Sequence, residues 1–464
     1  MLASHTIPLV EPASEAPEPR AAPTRLFANT LTVGVLLATA KLAGAAKTIV
    51  IARFFGTSDA LDAFLIALLL PSFVADLVAG SLTPCLVPML VRAQAAEGID
   101  GARRLAGIAL SASLGMTLIG AAGLALGGRW LLRLAGSSFT EAKLHLATAL
   151  FFMLLWWLPM SACIAAWRAV LNAHRRFALA AIAPIATPLL CIAFLYAFTG
   201  RLGIAVLCAG TVGGVAIECF ALGIAVRRLG YPLAPRWRDA GGEIGHLGAQ
   251  FFPLLASVAI TSGCVLIDQS VAGKLGSSQV SALVYGNRLS TVLLQVAAAP
   301  IGVTILPMLA RLAAARDWKQ LRRTVLRCCA AATALAVPLT VGLVAASSMI
   351  VHILFERGAF GSDSARLVAQ VQGFSLLQLP FAFLLAIATR LTSALSANML
   401  LARVGIAALI IDVALDLALS HWMGVAGIAL SAVFVQLVSL VLLGLALYRR
   451  APELFARHPP EGES

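Results

Sequence analysis

Long apolar runs, separated by short polar turns, recur along the chain from residue 27 to residue 447. A helix needs about 20 apolar residues to cross a bilayer, and an open chain satisfies its backbone groups in lipid only by folding into helices. The runs therefore predict twelve spanning helices, at 27–54, 59–91, 104–127, 145–171, 178–198, 203–226, 246–273, 279–310, 322–346, 364–396, 402–420 and 424–447. Stretch 51–90 carries a polar turn, 56–59, between two apolar runs, and this pattern returns at 273–295. Leu86-Val87-Pro88-Met89-Leu90 is echoed by Ile305-Leu306-Pro307-Met308-Leu309, Arg103-Arg104 by Arg322-Arg323, Leu158-Pro159 by Leu379-Pro380, and Arg168 by Arg390. One half is written twice.

The expected architecture is an all-α polytopic membrane protein of two six-helix lobes with the same orientation, related by an axis along the membrane normal and enclosing a central cavity. The divisions are a disordered cytoplasmic tail 1–24, a first lobe 25–228, a cytoplasmic linker 229–245, a second lobe 246–448 and a cytoplasmic tail 449–464.

Composition agrees: 60% hydrophobic and 12% charged residues, with a mean hydropathy of +0.93, exclude a soluble protein of this length. The net charge of +13 would suggest nucleic acid elsewhere, but no bases interleave with aromatics on a soluble face, so no nucleic-acid partner is expected. Instead the bases crowd the termini and even-numbered connections, as in Arg103-Arg104, Arg175-Arg176, Arg227-Arg228, Arg322-Arg323 and Arg449-Arg450. The positive-inside rule then places both termini in the cytoplasm of a multi-pass protein of the bacterial inner membrane. The eight cysteines all lie in apolar segments without C-x-x-C spacing and read as small buried hydrophobes. No catalytic arrangement and no phosphate-binding glycine loop is present, so the chain is read as a transporter, not an enzyme, and without a cofactor.

Charges inside the apolar runs are the candidate chemistry. Lys41 and Lys47 lie in the first span and Arg53 at its end, Asp62 and Asp76 in the second, Glu218 in the sixth, Asp268 in the seventh and Arg288 in the eighth. A base at the centre of a lipid-facing helix costs about 2.5 to 3.5 kcal/mol, so these side chains should face a cavity, with the acids paired to neighbouring bases. Arg288 occupies the position that the first half fills with Leu68, so its charge belongs to one half only. Asp412 and Asp416 share a face of the eleventh span, where they should share a proton or a cation with Asp268 or meet an arginine such as Arg390. Residues 311–327 space Leu312, Trp318, Leu321 and Val325 among bases like an amphipathic helix on the membrane surface, and His174 reads as a solvated loop residue.

Ala52-Arg53 with Phe55-Gly56, Asp62-Ala63-Phe64, Leu70-Pro71, Val87-Pro88, Leu171-Asn172 with Arg176-Phe177, Ala183-Pro184, and Tyr285 with Arg288-Leu289 and Leu306-Pro307 together resemble the MviN family. These are lipid II flippases of the multidrug/oligosaccharidyl-lipid/polysaccharide exporter superfamily. The resemblance implies that Lys41 and Lys47 stand where the family has essential bases, Asp62 its essential acid and Arg288 its essential arginine. It also implies a sodium site at Asp268, Asp412 and Asp416, with Ala432 where the family has a threonine. The sequence departs from the family at Ala75-Asp76, where an Arg-Arg pair is usual, at Gly80-Ser81, where Glu-Gly is usual, and in having twelve spans where the flippases add two more.

The reading that follows is a flippase for a polyprenyl-pyrophosphate-linked oligosaccharide, serving an exopolysaccharide or another surface glycan by alternating access. Lys41, Lys47, Arg53, Asp62, Asp76 and Arg288 would bind the substrate, and Asp268, Asp412 and Asp416 would couple transport to Na+ or H+. Membrane lipids and glycan-assembly proteins are the further expected partners. The alternatives are a lipid II flippase of peptidoglycan synthesis, a cation-coupled drug antiporter, and a non-transporting membrane scaffold.

Overall fold

The computed structural model describes residues 23–236, 243–300 and 305–450, so the expected tails and part of the expected linker (residues 1–22, 451–464 and 237–242) lie outside the described residues. The first lobe contains α1 (Pro23–Phe55), α2 (Asp59–Ala135), α3 (Glu141–Leu155), α4 (Trp157–Ala173), α5 (Phe177–Ile182), a 3-10 turn (Ala183–Ile185), α6 (Ala186–Leu202) and α7 (Ala205–Arg228). In the second follow α8 (Glu243–Lys274), α9 (Gln279–Pro300), α10 (Leu306–Ala314), α11 (Trp318–Ala345), α12 (Ser347–Phe355), α13 (Ser362–Leu376), α14 (Leu379–Ala394), α15 (Asn398–Met423) and α16 (Val425–Arg450). Among the described residues nine helical stretches are long and apolar enough to cross a membrane. One of them, α2, has 77 residues and supplies two crossings, because Gly98, at φ 70°, is the non-helical residue that breaks it. Pro71, Pro84 and Pro88 sit in its first arm, where each removes a helical hydrogen bond.

Within the first lobe α2 packs on α3 and α4, and α6 on α7; within the second α9 packs on α13, α11 on α14 and α15 on α16. The lobes meet along α2 and α8, where Gly80 leaves room for Val258 and the Cys85 Sγ lies 3.9 Å from the Leu247 carbonyl. One apolar core joins the lobes at the end where α1 meets α2: Ile51, Leu61 and Phe64 pack in the same cluster as Tyr285, Phe355 and Phe360.

Segment 311–327 departs from the expected surface helix. It is divided between α10 and α11, and Asp317 caps α11 by accepting from the Gln320 N–H at 2.9 Å. Leu321 is buried, and Leu312, Trp318 and Val325 pack with it against Leu309, Leu391, Leu443 and Leu447. The apolar face thus covers the lobe's own core.

Candidate functional site

A cavity of about 500 Å³ lies between α1, α2, α4, α6 and α7 of the first lobe and α9 of the second. Its walls are largely apolar, with Ile51, Phe64, Leu68 and Trp157 among them, and five charged side chains interrupt them: Lys47, Asp76, Arg168, Glu218 and Arg288. Gly44 on α1 lets the Arg288 guanidinium in, since a Cβ there would stand 3.0 Å from Nη2. Arg168 donates from Nη2 to Glu218, while the enclosed Nε atoms of Arg168 and Arg288 have no hydrogen-bond partner. Lys41 lies within electrostatic reach of Arg288 and Arg168, and Lys47 of Arg288. Guanidinium groups with donors to spare in an apolar chamber are suited to a phosphate-type anion, which they grip by charge-assisted hydrogen bonds. A smaller cavity of about 220 Å³ shares Asp76 with the first and continues between the lobes to Gln269 on α8.

Arg53 and Asp62 do not line this cavity. They sit where the lobes interlock. Asp62 on α2 is wholly buried and accepts from two backbone N–H groups of the other lobe, Ser278 at 2.7 Å and Ser281 at 2.9 Å. Those donors belong to the N-terminal end of α9, which lacks helical partners for them, so Asp62 caps a helix of the opposite lobe. Lys143, buried in the first turn of α3, bridges Asp62 at 3.3 Å and Asp59 at 2.5 Å. Around this knot Ala359 N donates to the Arg53 carbonyl at 2.9 Å, Tyr285 Oη to the Gly56 carbonyl at 3.2 Å, and the Thr57 and Ser364 hydroxyls meet at 2.6 Å. Gly56, at φ 55°, is required there, because a Cβ would run into the Ala359 carbonyl. The expectation that Asp62 neutralises a base of the first span therefore gives way to a different placement. Its cation is Lys143 of α3, a residue just ahead of the span predicted at 145–171.

The third group lies in the second lobe. Carboxylate oxygens of Asp268 on α8 and of Asp412 and Asp416 on α15 lie within 4.8 Å of one another, and Asp412 and Asp416 are buried. One oxygen of each, Asp268 Oδ1, Asp412 Oδ2 and Asp416 Oδ2, is enclosed without a hydrogen-bond partner. Like charges so close in a low dielectric call for a shared proton or a bound cation, and an all-oxygen donor set suits a hard cation. Ser431 of α16 donates to Asp416. The resemblance placed the family's threonine at the neighbouring position, which Ala432 fills here. Arg390 makes no ion pair with these acids among the described residues.

His174 also departs from its expected solvation: its Nε2 lies 2.8 Å from the Tyr231 hydroxyl. Burial, helped by the Arg176 charge, holds its imidazole below the ordinary histidine range.

Comparison with known proteins bears on this arrangement. The sequence pattern described as "Lipid II flippase MurJ" matches residues 51–458. A probable lipid II flippase MurJ of Rhizobium tropici is 27% identical over 366 residues, 75% of this chain and 67% of that protein. The Vibrio cholerae protein of the same description is 24% identical over 451 residues, 91% of this chain and 83% of its own length. Among solved structures, a lipid II flippase MurJ in an inward closed conformation superposes with a TM-score of 0.77 at 17% identity, covering 90% of this chain and 87% of that one. An inward-facing multidrug resistance MATE family transporter of the MOP superfamily follows at 0.75 and 14% identity, covering 91% and 99%. These likenesses to solved structures extend to the fold.

Proposed function

The chain belongs to the lipid II flippase MurJ family, whose members are membrane transporters and not catalytic enzymes, and from this premise we propose that it carries lipid II across the cytoplasmic membrane. The observation that carries the reading is the apolar cavity into which Lys47, Arg168 and Arg288 converge from both lobes. A diphosphate headgroup entering it would take up the spare N–H donors of the two arginines, while the glycan fills the chamber and the polyprenyl tail stays in lipid. Of the substrates left open by the sequence, the named relatives support lipid II over an exopolysaccharide repeat unit. The acid at Asp76 does not remove the excess of base, since three cations face two carboxylates in the cavity wall. This balance also disfavours the drug-cation antiporter.

With both termini in the cytoplasm, the interlocked end around Asp62 is the outer face, and this state holds the cavity shut against it. Transport would require Asp62 to release the Ser278 and Ser281 N–H groups of the other lobe and the lobes to close at the opposite end. We assign Asp268, Asp412 and Asp416 as the coupling site for Na+ or H+, on the strength of their enclosed, unpartnered oxygens. Filling the site with a cation or a proton relieves the repulsion, which would tie the set of α15 against α8 to its occupancy.

The test is mass spectrometry of polyprenyl-linked glycans in cells whose only copy carries Arg288→Glu. Accumulation of intact lipid II is the expected result. Accumulation of a different lipid-linked repeat unit would move the substrate to that glycan, and normal surface polymers with no accumulated intermediate would overturn the flippase reading.

A further inference from the structure

A second groove, of about 490 Å³, lies between α15 and α16 and shares no lining residue with the central cavity. Its rim is cationic and its walls are apolar. Arg403 comes from the first turns of α15 and Arg449 and Arg450 from the last turn of α16, with Leu400 beside them at the rim, while Val404, Ala407, Leu442 and Ala446 run inward along the helices. The two helices are antiparallel neighbours joined at Gly424, so the first turns of α15 and the last turn of α16 lie at the same end, where their dipoles offset and the three arginines set the charge.

Among the described residues no local acid balances these arginines. Helix α16 contains no Asp or Glu, and the first acid along α15 is Asp412, more than two helical turns beyond Arg403. Among the described residues none of the three forms an ion pair with a carboxylate. Large apolar side chains on the same two helices, Ile406 and Leu445, are more than half exposed, as residues facing acyl chains would be.

Cations grouped at one end of a lipid-facing groove, above walls made for hydrocarbon, match the layout of an anionic phospholipid. We propose that this groove is a binding site for an anionic glycerophospholipid, its phosphodiester held by Arg403, Arg449 and Arg450 and one acyl chain lying along Val404, Ala407 and Leu442. A zwitterionic lipid presents the same chains, but its ammonium group would meet the arginines as a like charge. The site therefore selects by headgroup, and it does so independently of what the central cavity carries.

The experiment is native mass spectrometry of the full chain in detergent, stripped of lipid and titrated with phosphatidylglycerol or with phosphatidylethanolamine of the same acyl chains. The wild-type protein should hold phosphatidylglycerol about tenfold more tightly. The triple variant Arg403→Gln, Arg449→Gln, Arg450→Gln should lose that preference, its Lys counterpart should keep it, and Leu442→Trp should weaken both lipids. Thermal unfolding in lipid-free detergent checks that the variants remain folded. Equal preference in the wild-type and Gln proteins would overturn the proposal. So would displacement of the phospholipid by a polyprenyl phosphate at equal concentration, which would give the groove to a substrate tail. A phosphatidylglycerol site that forms only when residues 451–464 are removed would also overturn it, since the groove would then belong to the chain's own C-terminal segment.

Discussion

The two lobes share a helical plan and differ in where they keep their charge. In the first, Arg168 on α4 is answered by Glu218 on α7, and the pair faces the central cavity. The repeat-related Arg390 stands on α14, which packs beside α16, a helix without a single acid, and its Nε has no hydrogen-bond partner. The second lobe instead gathers its acids on α8 and α15, as Asp268, Asp412 and Asp416, and sends its mid-membrane base, Arg288, across to the first lobe's cavity. A duplicated fold thus holds a chamber with an excess of basic side chains on one side and a cluster of carboxylates on the other. Because ionisable groups at membrane depth are costly unless they are paired or functional, this division follows transport chemistry more closely than it follows the repeat.

The comparison is tested most strongly by unequal loss of the two arginines. Arg168→Gln leaves Glu218 buried without its cation and should cost about 3 kcal/mol in unfolding of the purified protein. Arg390→Gln, which breaks no ion pair among the described residues, should cost less than about 1 kcal/mol. Equal costs would mean that the lobes have not diverged in this way. Next in size is Asp62→Asn, which leaves one amide oxygen where two carboxylate oxygens accept from Ser278 and Ser281 and removes the charge opposite Lys143, a loss of about 2 kcal/mol from the interlocked end. Disulfide trapping of Thr57→Cys with Ser364→Cys, whose native hydroxyls lie 2.6 Å apart, reads this as a lower fraction of closed protein.

On the second lobe, Asp412→Asn and Asp416→Asn should each slow transport about tenfold and abolish its dependence on the coupling cation. Unchanged cation dependence in proteoliposomes would return the cluster to a structural role. Ser431→Ala should have a smaller effect than either aspartate variant, about 1 kcal/mol of local stability and a weakened cation dependence, because it removes one hydrogen bond to Asp416.

The fold was legible because lipid leaves few options: apolar length predicts the spans, and the echo of 51–90 at 273–295 exposes the duplication. Lys47, Asp76 and Arg288 were legible as cavity residues because a charge in an apolar run has little else to do. Contacts between distant segments were not. Lys143 follows a polar turn at Thr140 and carries no mark in sequence of its burial against Asp62, and the capping of α9 by Asp62 joins residues of different lobes. Segment 311–327 misled because an amphipathic helix has the same pattern whether its apolar face meets lipid or the lobe's core. The side chain that reaches Asp416 comes from Ser431, next to the alanine singled out, because register within a helix is fixed by packing that a motif does not contain.

The central claim is that the Lys47, Arg168 and Arg288 cavity moves the diphosphate of lipid II. Its most direct test is reconstitution: purified protein in liposomes, with the transbilayer movement of labelled lipid II measured for the wild type and for Arg288→Glu. The account predicts translocation by the wild type and loss of at least about 30-fold in the variant, with its unfolding temperature unchanged. Equal rates in the two proteins would contradict it.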